Sequence, residues 1–186
     1  MQKLLPLLLL SVSLLGQTSS TASEDVRVYS VCDIVSNLSY FRNRTVLVRG
    51  WIRSGREIFV ISGIDCPNAF VTQGHTWPNS ISLSSTDETR PRVEMPPWSS
   101  DRRDMARLRE QIKAAQQQSL AVEATVEGMI IARAPSEYVV VRRRDGWVAT
   151  NGFGHLGGCP AMIFVKSVRD VELKEDPASG GGGGKD

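Results

Sequence analysis

Histidine and cysteine are the side chains best suited to attack a substrate or hold a metal, and this sequence has few of them: His75, His155, Cys32, Cys66 and Cys159. No two stand at the spacing of a metal-ligand pair, so neither a metal nor another cofactor is expected. The most specific pattern around them is Gly152-Phe153-Gly154-His155-Leu156, which Gly157, Gly158 and Cys159 follow. A glycine-rich loop with a central histidine can offer an imidazole and backbone N–H groups to an anion, which makes His155 and Gly154 candidate ligand-binding residues. The competing reading is structural and is the one expected here. The glycines would supply positive φ where the chain turns tightly into its next strand, with Phe153 in the core and the His155 ring bonded to backbone. Cys159 and His155 suggest a Cys-His dyad, but no recognised motif orients them. Gly-x-Ser-x-Gly, His-Glu-x-x-His and phosphate-loop patterns are missing, so no catalytic residue is assigned.

Aromatic and basic residues supply the other candidates. His75 with Trp77 could stack on a planar ligand, as could Trp98 and Trp147; the alternative is that these rings cap one end of the fold. Arg142, Arg143 and Arg144 form the only basic run, either a solvated hairpin face or, through Arg143, a ligand contact. Lys and Arg number 22 against 20 Asp and Glu. So even a balance favours neither a nucleic-acid binder nor a polybasic membrane-surface protein.

The residues before these candidates carry an address. Lys3 precedes an apolar run from Leu4 to Leu10 that continues through Val12, Leu14 and Leu15, and small polar residues follow from Gly16 to Ser23. This order predicts a cleavable signal peptide over residues 1–22, with Ser20-Thr21-Ala22 as the small-x-small site. The run is shorter than the roughly twenty residues a membrane span needs, so no span is expected after cleavage and the protein should be secreted or periplasmic. In such a compartment one disulfide can form among three cysteines. Cys32 and Cys66 are the expected pair, pinning loop ends to the fold, and Cys159 is the expected free thiol. Asn37-Leu38-Ser39 and Asn43-Arg44-Thr45 match the glycosylation sequon and mean nothing in a bacterial source.

The elements that must position the candidates follow from periodicity. Residues 28–38 carry Val31, Ile34, Val35 and Leu38 at helical spacing. Residues 45–53 alternate as a strand around Gly50, Ser54-Gly55 turns the chain, and residues 57–62 form a second strand. Ile81 and Leu83 mark a third strand after a loop-like stretch, and residues 85–100 make a proline-punctuated excursion. Met105, Leu108, Ile112 and Ala115 predict an amphipathic helix to about Gln118. Residues 120–132 form a fourth strand around Gly128. A protruding hairpin turns at Asp145-Gly146, and residues 161–171 supply the last strand. Residues 23–174 suit one domain, and the glycine-rich stretch over 175–186 reads as a disordered tail.

Three strands, a helix and two strands is the order of the OB-fold, a five-stranded Greek-key barrel. The expected class is therefore mainly β: an OB-fold-like barrel with a short N-terminal helix, a helix between strands three and four, and a hairpin inserted between strands four and five. Gly50 and Gly128 fall at equivalent points of the first and fourth strands, where a small barrel must coil sharply to close. Val31-Cys32-Asp33-Ile34, Val46-Leu47-Val48-Arg49-Gly50, Cys66 and Gly152-Phe153-Gly154-His155-Leu156 resemble a poorly characterised group of bacterial exported OB-fold-like proteins. The resemblance implies fold and export, and brings no activity or catalytic residue with it.

An exported module for a small ligand or a protein partner is the expected function. The alternatives are an OB domain for oligosaccharide or nucleic acid, and a small hydrolase. The second and third strands, Glu57-Ile58-Phe59-Val60-Ile61 and Ser80-Ile81-Ser82-Leu83-Ser84, hold no Lys or Arg, which counts against nucleic acid. Intact-mass measurement on the secreted or periplasmic fraction should show loss of about 16 to 23 N-terminal residues. A full-length chain held in the membrane is the contrary result.

Overall fold

The computed structural model describes residues 27–87, 95–144, 146–149 and 151–177. The expected signal peptide, the tail from Ala178 and the side chains of Arg142, Arg143 and Trp147 lie outside the described residues.

The chain opens with strand β1 (Val28–Ser30), helix α1 (Val31–Ser36) and the single turn α2 (Leu38–Phe41). The helical spacing held from Val31 onward, since Val31, Ile34, Val35 and Leu38 are all buried. Residues 28–30 instead pair with the following strand in parallel, Val28 opposite Leu47. Ser30 divides the two states: its Oγ accepts the Asp33 N–H at 3.1 Å, and its own N–H donates to Asp33 Oδ2 at 2.9 Å. This reciprocal capping box fixes Ser30 as the last extended residue and holds the Asp33 carboxyl below its ordinary pKa.

Next come β2 (Thr45–Ser54), β3 (Phe59–Ser62), a small ribbon of β4 (Val71–Thr72) and β5 (His75–Thr76), and β6 (Ser80–Ser84). Helix α3 (Arg102–Gln117) is followed by β7 (Leu120–Ala132), the hairpin β8 (Val140–Arg143) and β9 (Gly146–Ala149), and β10 (Ala161–Glu175). β2, β3, β6, β10 and β7 pair in that order, and β7 pairs again with β2, which closes a five-stranded barrel. β6 and β10 run parallel and the other barrel pairs are antiparallel. With α3 between the third and fourth barrel strands, this is the OB-like arrangement that the element order predicts.

Inward-facing Val48, Ile52, Ile61, Ile81, Val122, Val126, Ile130, Ile163 and Val165 fill the barrel, and Met105, Leu108, Ile112 and Ala115 of α3 join the same core. A second cluster of Met129, Ile131, Phe153, Met162 and Phe164 lies outside the barrel wall, with Trp98 packed against it. Cys32 on α1 is bonded to Cys66, and Cys159 is free and buried, which is the expected arrangement.

The last strand is longer than its apolar pattern. It continues to Glu175 because charged side chains hold it: Lys174 meets Glu123 and Glu172, while Arg49 meets the same two carboxylates at 2.8 and 3.0 Å. Arg49 and Lys174 hold the Glu123 carboxyl below its ordinary pKa. Beyond the strand, Arg53 donates to both carboxylate oxygens of Asp176. The ordered domain therefore passes residue 174, where the tail was expected to begin.

Closure depends on Gly128, which lies opposite Val46 on one neighbour and Val165 on the other. A Cβ there would stand 2.2 Å from the Phe164 carbonyl oxygen and 2.7 Å from Ile163 Cγ1. Gly128→Ala should therefore cost about 3 kcal/mol or more, at the top of the range for forced overpacking. Gly55→Ala, with nothing within 4 Å of the new atom, should change stability by less than about 0.5 kcal/mol. Urea unfolding of both proteins checks this, and equal midpoints would mean that the strands do not need to meet so closely.

Candidate functional site

Residues 151–160, ahead of β10, fold back on themselves. Phe153 and Cys159 exchange backbone hydrogen bonds at 2.8 and 2.9 Å, closing a small ring of chain. Gly154, Leu156 and Gly157 have φ of 74°, 52° and 70°, so the backbone here is left-handed at three positions. Gly152 is needed for a different reason: its Cβ would lie 2.1 Å from the Gly157 carbonyl oxygen and 2.6 Å from the Trp77 ring. Asn151 anchors the base, accepting the Val139 N–H at 2.7 Å and donating to the Glu137 carbonyl at 2.8 Å. Phe153 is buried in the outer cluster, as the structural reading of the glycines expects.

The ring leaves its tip, His155 and Leu156, projecting past the barrel wall toward the loop between β2 and β3. His155 Nε2 lies 2.9 Å from Glu57 Oε2 in that loop. The expectation of a backbone partner for this imidazole is corrected: its partner is a carboxylate, because the left-handed turn at Leu156 carries the tip away from the backbone and out to Glu57. Leu156 is 83 % exposed and Ile58, immediately before β3, is 54 % exposed. Beneath them, across β3 and β6, runs a groove of about 640 Å³. Val60, Ser80 and Ser82 line it from the strands, and Ile58, Leu156 and the Glu57–His155 pair from the loops.

Cys159 lines the same groove but is paired with Ser80 Oγ at 3.6 Å and not with His155. Burial pushes its thiol above the ordinary pKa, with the Ser80 contact working weakly the other way. A catalytic cysteine needs the opposite displacement.

The other sequence candidates scatter. Trp77 is buried, donating from its indole N–H to Thr72 Oγ1 at 2.7 Å and packed against Tyr138 and Phe70. No face of its ring is open to a ligand. His75 meets the Trp77 ring edge-on at 4.9 Å and belongs to that cap. Trp147 and Arg143 stand on β9 and β8, in the expected hairpin, with side chains outside the described residues. Of the candidate ligand-binding residues whose side chains are described, His155 and Gly154 line the groove. The residues that sequence reading missed are Glu57, Ile58 and Leu156. A leucine inside a glycine-rich loop was the available signal, because a tight turn has no need of an apolar side chain.

The two readings of this loop predict different mutants. Gly152→Ala should destabilise by about 3 kcal/mol or more, since its Cβ meets backbone atoms that cannot rotate away. His155→Ala should cost no more than about 1 kcal/mol, because its contact with Glu57 is open to solvent. Thermal denaturation of the two variants separates the cases, and a large loss in His155→Ala would make the imidazole a structural strut. No family model matches this chain, and no curated protein or solved structure matches it either.

Proposed function

We propose that this chain is an exported binding module whose groove across β3 and β6 holds an extended, uncharged and largely apolar segment of another polypeptide. The observation that carries this reading is the rim: Ile58 and Leu156 expose apolar side chains on two different loops, facing one 640 Å³ groove. Exposed leucine and isoleucine on facing loops cost solubility unless something covers them.

The position is the one that OB barrels use, between the loop joining the first two barrel strands and the loop joining the last two. The lining argues the ligand's chemistry. Among the described residues the groove has no Lys or Arg, which removes the counterion-release term that drives nucleic-acid binding. Among the described residues its aromatic lining is Phe59, which also packs against the barrel core, and the His155 imidazole, too little platform for stacking sugars or bases in series. Ser80 and Ser82 offer hydroxyls at the floor, suited to peptide N–H and C=O groups. Glu57 and His155 meet one another across the rim at 2.9 Å.

The export half of the proposal rests on the N-terminal pattern and on the Cys32–Cys66 bridge, which suits an oxidising compartment. No described helix is long and apolar enough to cross a membrane.

Fluorescently labelled ten-residue peptides of alanine, leucine, valine and serine should bind by polarisation. Leu156→Asp and Ile58→Asp should each weaken them by about tenfold, while the melting temperature stays within about 2 °C because both positions are exposed. Oligothymidine and chito-oligosaccharides serve as competitors. Tight binding of either one in this groove, or peptide affinities that ignore both substitutions, would replace the proposal.

A further inference from the structure

A second pocket lies at the opposite end of β2. The peptide groove adjoins the loop that leaves β2 at Ser54, whereas this pocket adjoins Thr45, Val46 and Leu47, where the strand begins. Its volume is about 430 Å³, and α2 and β1 form its other walls. Three rings contribute. Phe41 is buried and meets Tyr29 and Tyr40 edge-on, with centroids 4.8 and 4.9 Å away. Two guanidinium groups lie on these rings: Arg27 over Tyr29 at 4.9 Å, and Arg44 over Tyr40 at 4.0 Å.

A guanidinium resting on a ring keeps its N–H donors in its own plane, directed away from the ring. It is thus held in place while its hydrogen-bonding fork stays available. Among the described residues, no carboxylate lies within ion-pair distance of Arg27 or Arg44. The neighbouring charges are mostly compensated. Glu127 lines the pocket but is bonded to Lys166 at 2.6 Å and to Ser167 at 3.0 Å, and Arg169 stands 3.9 Å from Asp170. Asp33, whose carboxyl feels Arg27, is engaged by Ser30. Among the described residues, Arg27 and Arg44 are thus cations of this pocket without an ion-pair partner.

We infer that this pocket is a second binding site, for a small planar aromatic molecule carrying a single carboxylate. The aromatic body lies among Tyr29, Tyr40 and Phe41, stacking where a guanidinium or a tyrosine ring presents a face. The carboxylate takes the in-plane N–H donors of Arg44, with Arg27 beside it. Glu127 lines the same pocket, so a monoanion suits it better than a dianion or a polyphosphate, whose excess charge would come up to that carboxylate. The volume sits near the lower end of the range for small organic ligands, roughly 300–1,000 Å³. A hollow of 330 Å³ that shares Arg27, Tyr29, Tyr40 and Phe41 adds Ser36 and Asn37, so a ligand with a hydroxyl opposite its carboxylate would find hydrogen-bond partners there.

Naphthalene-2-carboxylate is the probe, titrated into the protein by calorimetry and by NMR of the arginine Nε–H and tyrosine ring signals. Binding is expected with shifts at Arg44, Tyr40 and Tyr29. The neutral naphthalene-2-carboxamide and the saturated cyclohexanecarboxylate should each bind about tenfold more weakly, the first for want of charge and the second for want of a stacking face. Arg44→Gln should lower affinity by about tenfold, and Arg44→Lys should recover only part of it, because lysine restores the charge without the planar fork. Arg44 is exposed, so both variants should fold, and unchanged melting curves confirm it. Leu156→Asp, in the peptide groove, should leave carboxylate binding untouched. Equal binding of the carboxylate and the carboxamide, shifts confined to the β3 and β6 groove, loss of binding in Leu156→Asp, or no effect of Arg44→Gln would each overturn the inference. None of these results bears on peptide binding at the first groove.

Discussion

The crossing of β7 between β2 and β10 is the constraint on which the rest of the molecule depends. A five-stranded sheet closes only if its last strand pairs back with its first, and β7 does so with β2 while its backbone presses against Phe164 at Gly128. The register with β10 then slips between Val165 and Ser167, next to that contact. The irregularity turns backbone groups outward, and α3 uses them. Ser100 donates its hydroxyl to the Val165 carbonyl, Asp101 donates its N–H to the Lys166 carbonyl at 2.8 Å, and Asp104 accepts the Val168 N–H at 3.0 Å. The same Asp101 caps the helix through Arg103 and Asp104. Closing the barrel thus creates the anchor that holds the helix sealing it.

The two candidate sites inherit different degrees of rigidity from this frame. The groove across β3 and β6 has a floor of paired strands and a rim of loops, one of which is a ring closed by backbone hydrogen bonds and forced into shape by Gly152, Gly154 and Gly157. Its tip holds Leu156 out in water on a left-handed backbone, so the conformational cost at this residue is offset by no burial of its side chain. Residues kept in that state at a loop tip are more readily understood as contacts than as packing. The second pocket is built instead on aromatic contacts at the start of β2, where, among the described residues, each arginine is held by one ring rather than by an ion pair.

Cys159 illustrates how position overrides residue type. In sequence it stands four residues from a histidine, and in the fold it faces Ser80 while the imidazole turns to Glu57. Burial then holds the sulfur as a thiol, so it acts as a small apolar wall of the groove.

Periodicity determined the barrel strands, the long helix, the disulfide pair and the OB-like order, because each of these follows from local alternation of apolar residues or from a short list of cysteines. It also located the glycine-rich loop as the most specific segment, and the two in-strand glycines as points of closure. What it could not contain was proximity. Val28–Ser30 joins the sheet only because β2 has an open edge beside it, and β10 outlasts its apolar residues only because Arg49 and Glu123 of other strands reach Lys174 and Glu172. Trp77 became a buried cap because Tyr138, sixty-one positions away by number, closes over it. Glu57, Ile58 and Leu156 share a rim, and Arg27 and Arg44 a pocket, because barrel closure brings distant turns to one end of the sheet. Contacts of that kind depend on how strands register around a closed barrel, a property that no local pattern of side chains encodes.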